Sequence, residues 1–344
     1  MRLILICPSW GRVCGIASYS RQLGDGLRAL GVETDVATTP AALGNLLGRR
    51  QYGGILMQHE YGLYYFNLIA MLNQADRSGL PFIVTMHNSD HRGWMGAQHL
   101  FLFKGRAKFV VHSEIARDNL LRVPVSLDAS RLTVIPMGSP DFREQFGPVE
   151  DVRREMGLPP GGFVVGFFGF AAEHKGIPDL VKALLGLTNV TGYISATVHP
   201  VNPHAVDAIY ERSGLTRLPG EKGVYGNVTL SHEWIPDEKF GRYQNAMDAI
   251  VLPYSMHGES VSTSMMAHVV LACGRPTIVT AVPYFADLGD TVLRIPDNQP
   301  ETIAAAIEAL RKDPGLRESL AARAAGYAAE HAWPRVAQSY VDLL

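Results

Sequence analysis

Cysteine is scarce in this chain: Cys7, Cys14 and Cys273 are the only three in 344 residues. An odd number without paired spacing excludes a disulfide framework and a zinc-type cluster, so all three are read as reduced and mostly structural. An excess of either charge is also missing. Lys+Arg is 31 against Asp+Glu 33, a net charge of -2, which removes the basic surplus that nucleic-acid binding by counterion release requires. Long hydrophobic runs are absent too. The longest, such as Phe163 to Phe170, are far short of the roughly 20 residues that span a bilayer. Met1 to Ile6 runs into Cys7-Pro8 without a cleavage-site pattern, and a cytoplasmic location is expected. What the chain has is apolar content: 47% hydrophobic against 19% charged residues, the composition of a packed globular protein. At about 150 residues per domain its length predicts two domains.

Strand-length apolar runs alternate with helical periodicity throughout. In the first half, strands are predicted over residues 2–7, 54–57, 82–86, 109–111 and 132–135, and helices over 18–30, 65–77 and 115–121. Repeated units of this kind imply an α/β fold with a parallel, doubly wound sheet. Residues 139–162 are polar and contain Pro140, Pro148, Pro159 and Pro160, the composition of an interdomain connection. The alternation then restarts, with strands over 164–168, 193–197, 228–230, 249–252 and 277–279. Helices are predicted over 177–187, 237–245, 262–272, 300–312 and 316–329. The expected organisation is a Rossmann-like domain over 1–145, a second over 146–330 and a terminal segment over 331–344.

In open α/β sheets ligands bind beyond the carboxyl ends of the strands, so the chemistry belongs in the loops there. The first such loop, Pro8 to Ser18, carries Trp10, Gly11 and Gly15 ahead of a helix. It reads as a phosphate or substrate loop, or as a tight turn that needs glycine. It matches neither G-x-G-x-x-G nor a P-loop. His59 and His87 each close a strand, where a histidine serves a sugar hydroxyl, a developing charge, or the core. His87 and His91 are four apart but have no evident third ligand, so no metal is expected. Lys175 precedes a helix and suits a diphosphate, the alternative being a solvated surface lysine. The densest segment runs from Pro253 to Met265. Its Glu259 can accept from sugar hydroxyls, and the amides and hydroxyls from Ser260 onward can hold phosphate; a serine-rich capping loop at Ser262 or Thr263 is the alternative.

Several motifs in order resemble the GT-B glycosyltransferases, specifically retaining family 4. They are Gly15-Ile16-Ala17-Ser18-Tyr19, Gln58-His59-Glu60-Tyr61-Gly62, Thr85-Met86-His87, Val111-His112-Ser113, Val134-Ile135-Pro136-Met137-Gly138, residues 169–176, Leu252-Pro253-Tyr254 with Glu259, and Ala272-Cys273-Gly274-Arg275-Pro276. The resemblance implies two Rossmann-like domains facing a cleft, acceptor on the first and nucleotide sugar on the second, with the terminal helix crossing back to the first. The implied reaction moves a hexose from a UDP- or GDP-linked sugar to a carbohydrate, lipid-linked or small-molecule acceptor, with retention and no protein nucleophile. His87, Lys175 and Glu259 would carry catalysis. Gly15, Phe170, His199, Glu233, Trp234, Ile235, His257, Gly258, Ser260, Val261 and Ser262 would surround the nucleotide sugar, and Trp10, Tyr19, His59 and Glu60 the acceptor.

The chain departs from the family at three of these positions. Phe170 stands where an arginine is usual, His199 replaces a glycine turn, and the family's second glutamate is Ala267, with His268 as a substitute for ribose from helix position alone. The lack of a D-x-D triplet implies a metal-independent reaction with no cofactor. A nucleotide-sugar-binding protein without transferase activity, and an epimerase on the same fold, are the alternatives. Lys104, Arg106 and Lys108 form a small basic cluster that reads as peripheral contact with the inner membrane face or as a solvated surface.

Overall fold

The structure, a computed structural model, describes residues 1–49, 51–64, 67–89, 93–199, 202–256 and 262–344. The chain divides into two compact units. The first comprises Met1–Gly138, residues 262–265 and His331–Leu344; the second comprises residues 139–256 and Met266–Glu330.

The first unit is built on β1 (Arg2–Ile6), β2 (Glu33–Ala37), β3 (Gly54–His59), β4 (Phe82–Met86), β5 (Lys108–Val111) and β6 (Leu132–Val134), in the order β2-β1-β3-β4-β5-β6. Every pairing is parallel. Side chains alternate across a strand, and the core divides accordingly. Ile4, Ile6, Met57 and Val84 enter one apolar cluster, while Leu3, Leu5, Leu56 and Ile83 enter another on the opposite face. That second face is covered by helix Gly15–Ala29 through Leu23 and Leu27, and by helix Trp333–Leu343 through Trp333, Val336, Ala337 and Tyr340. The two helices approach at Gly26, where a Cβ would stand 2.7 Å from the Trp333 carbonyl oxygen. The Trp333 indole donates to Gln22 at 2.7 Å, and Tyr340 joins Tyr19 at 2.8 Å and Thr85 at 3.0 Å through hydroxyls.

The second unit has β7 (Phe163–Phe170), β8 (Val190–Thr197), β9 (Lys222–Tyr225), β10 (Val228–Ser231), β11 (Ala249–Leu252), β12 (Thr277–Thr280) and β13 (Leu293–Ile295). Their order is β13-β12-β11-β7-β8-β10-β9, parallel except for β9 against β10. The α/β class and both parallel sheets follow the sequence pattern.

Three expectations are corrected. The first unit's opening segment ends at Gly138 rather than at 145. Residues 139–162 are more than a connection: helix Val149–Met156 places Val152 and Met156 in the second unit's core. Its Arg153, 4% exposed, donates to the Ala246 carbonyl and to Asp248, both at 2.8 Å. The helix expected over 262–272 runs from Met265 to Leu271, which leaves Ser262 and Thr263 ahead of it rather than capping it. Strands β2, β9 and β13 escaped the sequence reading. All three carry exposed or half-buried positions at sheet edges, and a strand wetted on one side lacks the continuous apolar run of a central one.

Gly26→Ala tests the helix contact, because the added methyl meets backbone that cannot yield cheaply. The expected cost is about 1–3 kcal/mol, read as a lower urea midpoint for unfolding without a change in slope.

Candidate functional site

In the second sheet the winding reverses between β7 and β11, and the crevice beyond the carboxyl ends at such a reversal is the expected ligand position. Two loops meet there. The loop after β7 carries a short turn, Glu173–Lys175, and ends at Gly176 with φ +62. A Cβ at Gly176 would lie 2.0 Å from the Pro253 carbonyl oxygen, so only glycine lets the loop after β7 lie against the loop after β11. The Ser255 amide donates to the His174 carbonyl at 2.8 Å and ties the two again.

This contact sets Lys175 in place. Its Nζ lies 3.7 Å from the centroid of the Tyr254 ring, within cation–π range. Tyr254 is buried, packs on Phe285 at 4.8 Å, and accepts at its carbonyl from Thr280 Oγ1. Helix Ile177–Leu185 starts at once, with no side chain capping its first amides. Those amides and the helix dipole favour an anion.

Beside them is a pocket of about 440 Å³ whose lining includes Phe170, His174, Lys175, His199 and Asn202. Phe170 meets the His199 ring edge to face at 4.8 Å and the half-exposed Trp234 at 6.5 Å. Burial lowers the His199 pKa from its ordinary value. Glu233 is exposed, and its carbonyl accepts from Thr197 Oγ1 at 3.3 Å.

In the first sheet the reversal lies between β1 and β3. The loop after β1 turns at Gly11, φ +78, and leads to exposed Gly15 at the start of its helix, which also lacks a side-chain cap. Trp10 is half-buried against the adjoining core. His87, 7% exposed, follows β4; its amide donates to the His59 carbonyl at 3.0 Å and its Nε2–H to Gln58 Oε1 at 2.9 Å. Tyr19 abuts the His87 ring at 4.7 Å. Burial holds the His87 pKa well below its ordinary value, so the ring is neutral. Glu60 is half-buried, accepts from the Gly62 amide at 2.9 Å, and has its pKa raised by burial.

None of the protein-family models compared with the chain matches it. D-inositol 3-phosphate glycosyltransferase of Actinosynnema mirum is 26% identical over 240 residues, 67% of this chain and 55% of that protein. Its namesake from Rhodococcus jostii is 25% identical over 238 residues, 68% of this chain and 51% of that protein. The chain thus spans about half the length of the curated relatives it matches. Among solved structures, HepE from Anabaena in complex with UDP-glucose superposes with a TM-score of 0.76 at 13% identity, over 99% of this chain and 98% of that one. Sucrose-phosphate synthase from Thermosynechococcus elongatus gives 0.73 at 18% identity, over 100% and 98%. The chain has the GT-B fold.

Within this GT-B chain, several residues expected at the site are elsewhere. Tyr19 and His59 are interior, 1% and 0% exposed, and support His87 from beneath rather than reaching an acceptor. The Tyr19 hydroxyl is held by Tyr340, and His59 Nε2–H donates to Gln98 at 3.0 Å. Ile235 is a core residue. His268 is fully buried, with Nε2 2.9 Å from Asp287, and is no ribose ligand. Ser262 belongs to the first unit, in an antiparallel bridge with Asn88, rather than to the expected donor domain. His91, His257, Gly258, Glu259, Ser260 and Val261 lie outside the described residues.

Lys104, Arg106 and Lys108 are all exposed; Arg106 donates to the Gly79 and Leu80 carbonyls, and Lys108 to that of Leu343. No described helix of this GT-B chain is long and apolar enough to cross a membrane. Its three cysteines are free, and no metal-type cluster occurs among the described residues. Gln58 and Tyr254 stood in quoted motifs without a role, Gln58 as an amide in a strand buried along its whole length, and Tyr340 was missed.

His59 gives the stability a pH dependence. Burial lowers its pKa from 6.5 to about 4, so between those values the unfolded chain binds the extra proton. Stability is full above the unfolded pKa and falls as the pH drops through this window, by about 2 kcal/mol at pH 5. His87 acts in the same direction. Urea midpoints at pH 7.5 and 5 should show this loss, and His59→Gln should reduce it.

Proposed function

We propose that the chain is a retaining glycosyltransferase of the family 4 type, moving a hexose from a UDP- or GDP-linked sugar to an acceptor hydroxyl without a metal ion or other cofactor. The observation that carries this reading is Lys175, fixed on the Tyr254 ring between an uncapped helix N-terminus and a pocket of about 440 Å³. Relatives named D-inositol 3-phosphate glycosyltransferase, and the likeness to HepE, solved with UDP-glucose, support it.

The diphosphate sits on the first amides of helix Ile177–Leu185, with the Lys175 ammonium beside it. As the bond to the sugar breaks, negative charge builds on the leaving diphosphate. The amides and ammonium stabilise that charge with little reorganisation, since both are already held. From the sequence resemblance alone, His87 is assigned to the transferred sugar and Glu259 to its hydroxyls. The new bond forms on the face the diphosphate leaves, which gives retention without a protein nucleophile. Loops at the carboxyl ends of the first sheet take the acceptor, with Trp10 and Glu60 accessible there.

A second reading, donor binding without transfer, is favoured by one observation: Ala267, 1% exposed, occupies the position of the family's second glutamate. Calorimetric titration with UDP, GDP and their hexose conjugates, without metal, tests the first step. Lys175→Ala should weaken the nucleotide by about 10–100-fold, the value of a charge-assisted hydrogen bond, and Glu259→Ala should weaken only the sugar conjugate. Failure of every donor to bind would overturn both readings. Binding without transfer across an acceptor panel would select the second, and isomerised donor formed without acceptor would identify an epimerase.

A further inference from the structure

We infer that His199 is the second cation of the diphosphate site, and that it takes up a proton when the nucleotide sugar binds. This rests on the reading above that the pocket takes such a donor. A diphosphodiester brings two negative charges, but among the described lining residues Lys175 is the one permanently cationic side chain. The carboxyl end of β7 presents the apolar Phe170 to the same pocket. His199 stands against that ring, 4.8 Å between centroids, at the end of the segment following β8. It is half-buried and lines the same pocket. An imidazole is the side chain whose charge changes near neutral pH, and a small change of surroundings decides its state.

Without ligand, burial favours the neutral ring. An anion entering beside it reverses that preference, because an opposite charge within about 4–6 Å stabilises the protonated form. Binding and protonation are then linked: the proton comes from solvent, no covalent bond changes, and donor affinity rises as the pH falls. Other titratable groups of the same wall are Glu173, His174 and Lys175, with Glu233 on the loop beside Trp234. Glu173 faces Arg212 at 3.9 Å. His174 is the competing proton acceptor; its ring lies toward Tyr254 and Tyr284, 5.9 and 5.8 Å between centroids.

The test is calorimetric titration with UDP-glucose and GDP-mannose, whose diphosphodiesters have no group titrating near neutrality. It is run at pH 6, 7 and 8 in buffers of different ionisation enthalpy. The expected result is proton uptake approaching one per donor bound, with affinity rising toward the one-proton limit of tenfold per pH unit. His199→Gln should abolish the uptake and flatten the pH dependence, while His174→Gln should retain both. Binding that is independent of pH, or uptake that survives His199→Gln, would overturn the inference and leave the donor-binding reading intact. No binding at any pH would overturn that reading and this inference with it.

Discussion

A carbonyl oxygen at Pro253 leaves no room for a side chain at residue 176, and the second unit's chemistry follows from that contact. Parallel neighbours β7 and β11 deliver their following loops side by side. Because Gly176 adopts the left-handed conformation that glycine alone tolerates well, the loops touch through backbone, and the lysine one residue earlier meets the tyrosine one residue later. The cation therefore stands at the head of a helix before any ligand arrives. Its position is a property of the sheet winding and one missing methyl group rather than of a flexible surface side chain.

The first unit reaches rigidity by another route. Its carboxyl-end region rests on buried polar side chains: Thr85, Tyr340 and Tyr19 form a hydroxyl chain, while Gln58 and Gln98 accept from His87 and His59. Buried polar groups are costly unless paired, and paired ones fix one arrangement. Neutral imidazoles suit this interior because burial penalises their charged forms. A ring so held offers a nitrogen of defined orientation, which is what contact with a hydroxyl requires.

The legible part of the fold was its centre. Strands β3, β4 and β11 are buried on both faces and so read as apolar runs, whereas the edge strands β2 and β13 mix charge with aliphatics and did not. The placement of His87 at the end of a strand and of Lys175 in the loop after one was legible too. The direction in which a side chain points was not. Tyr19 and His59 were given to the acceptor by the resemblance, yet the partner that holds the Tyr19 hydroxyl is 321 residues away. His268 was assigned a ribose from its helix position, but its neighbour is Asp287, on a different element. Such pairings arise from tertiary packing, which local sequence does not encode.

The terminal helix also orders events during synthesis. Trp333, Val336, Ala337 and Tyr340 cover a face of the first sheet whose strands emerge from the ribosome more than two hundred residues earlier. Until those side chains arrive, Leu23, Leu27 and the aliphatics beneath them lack their lid. The second unit needs nothing made after residue 330 for its own core. Of the two units, the one begun earlier is thus completed later, and a nascent chain stalled before Trp333 exposes apolar surface to chaperones on that earlier unit.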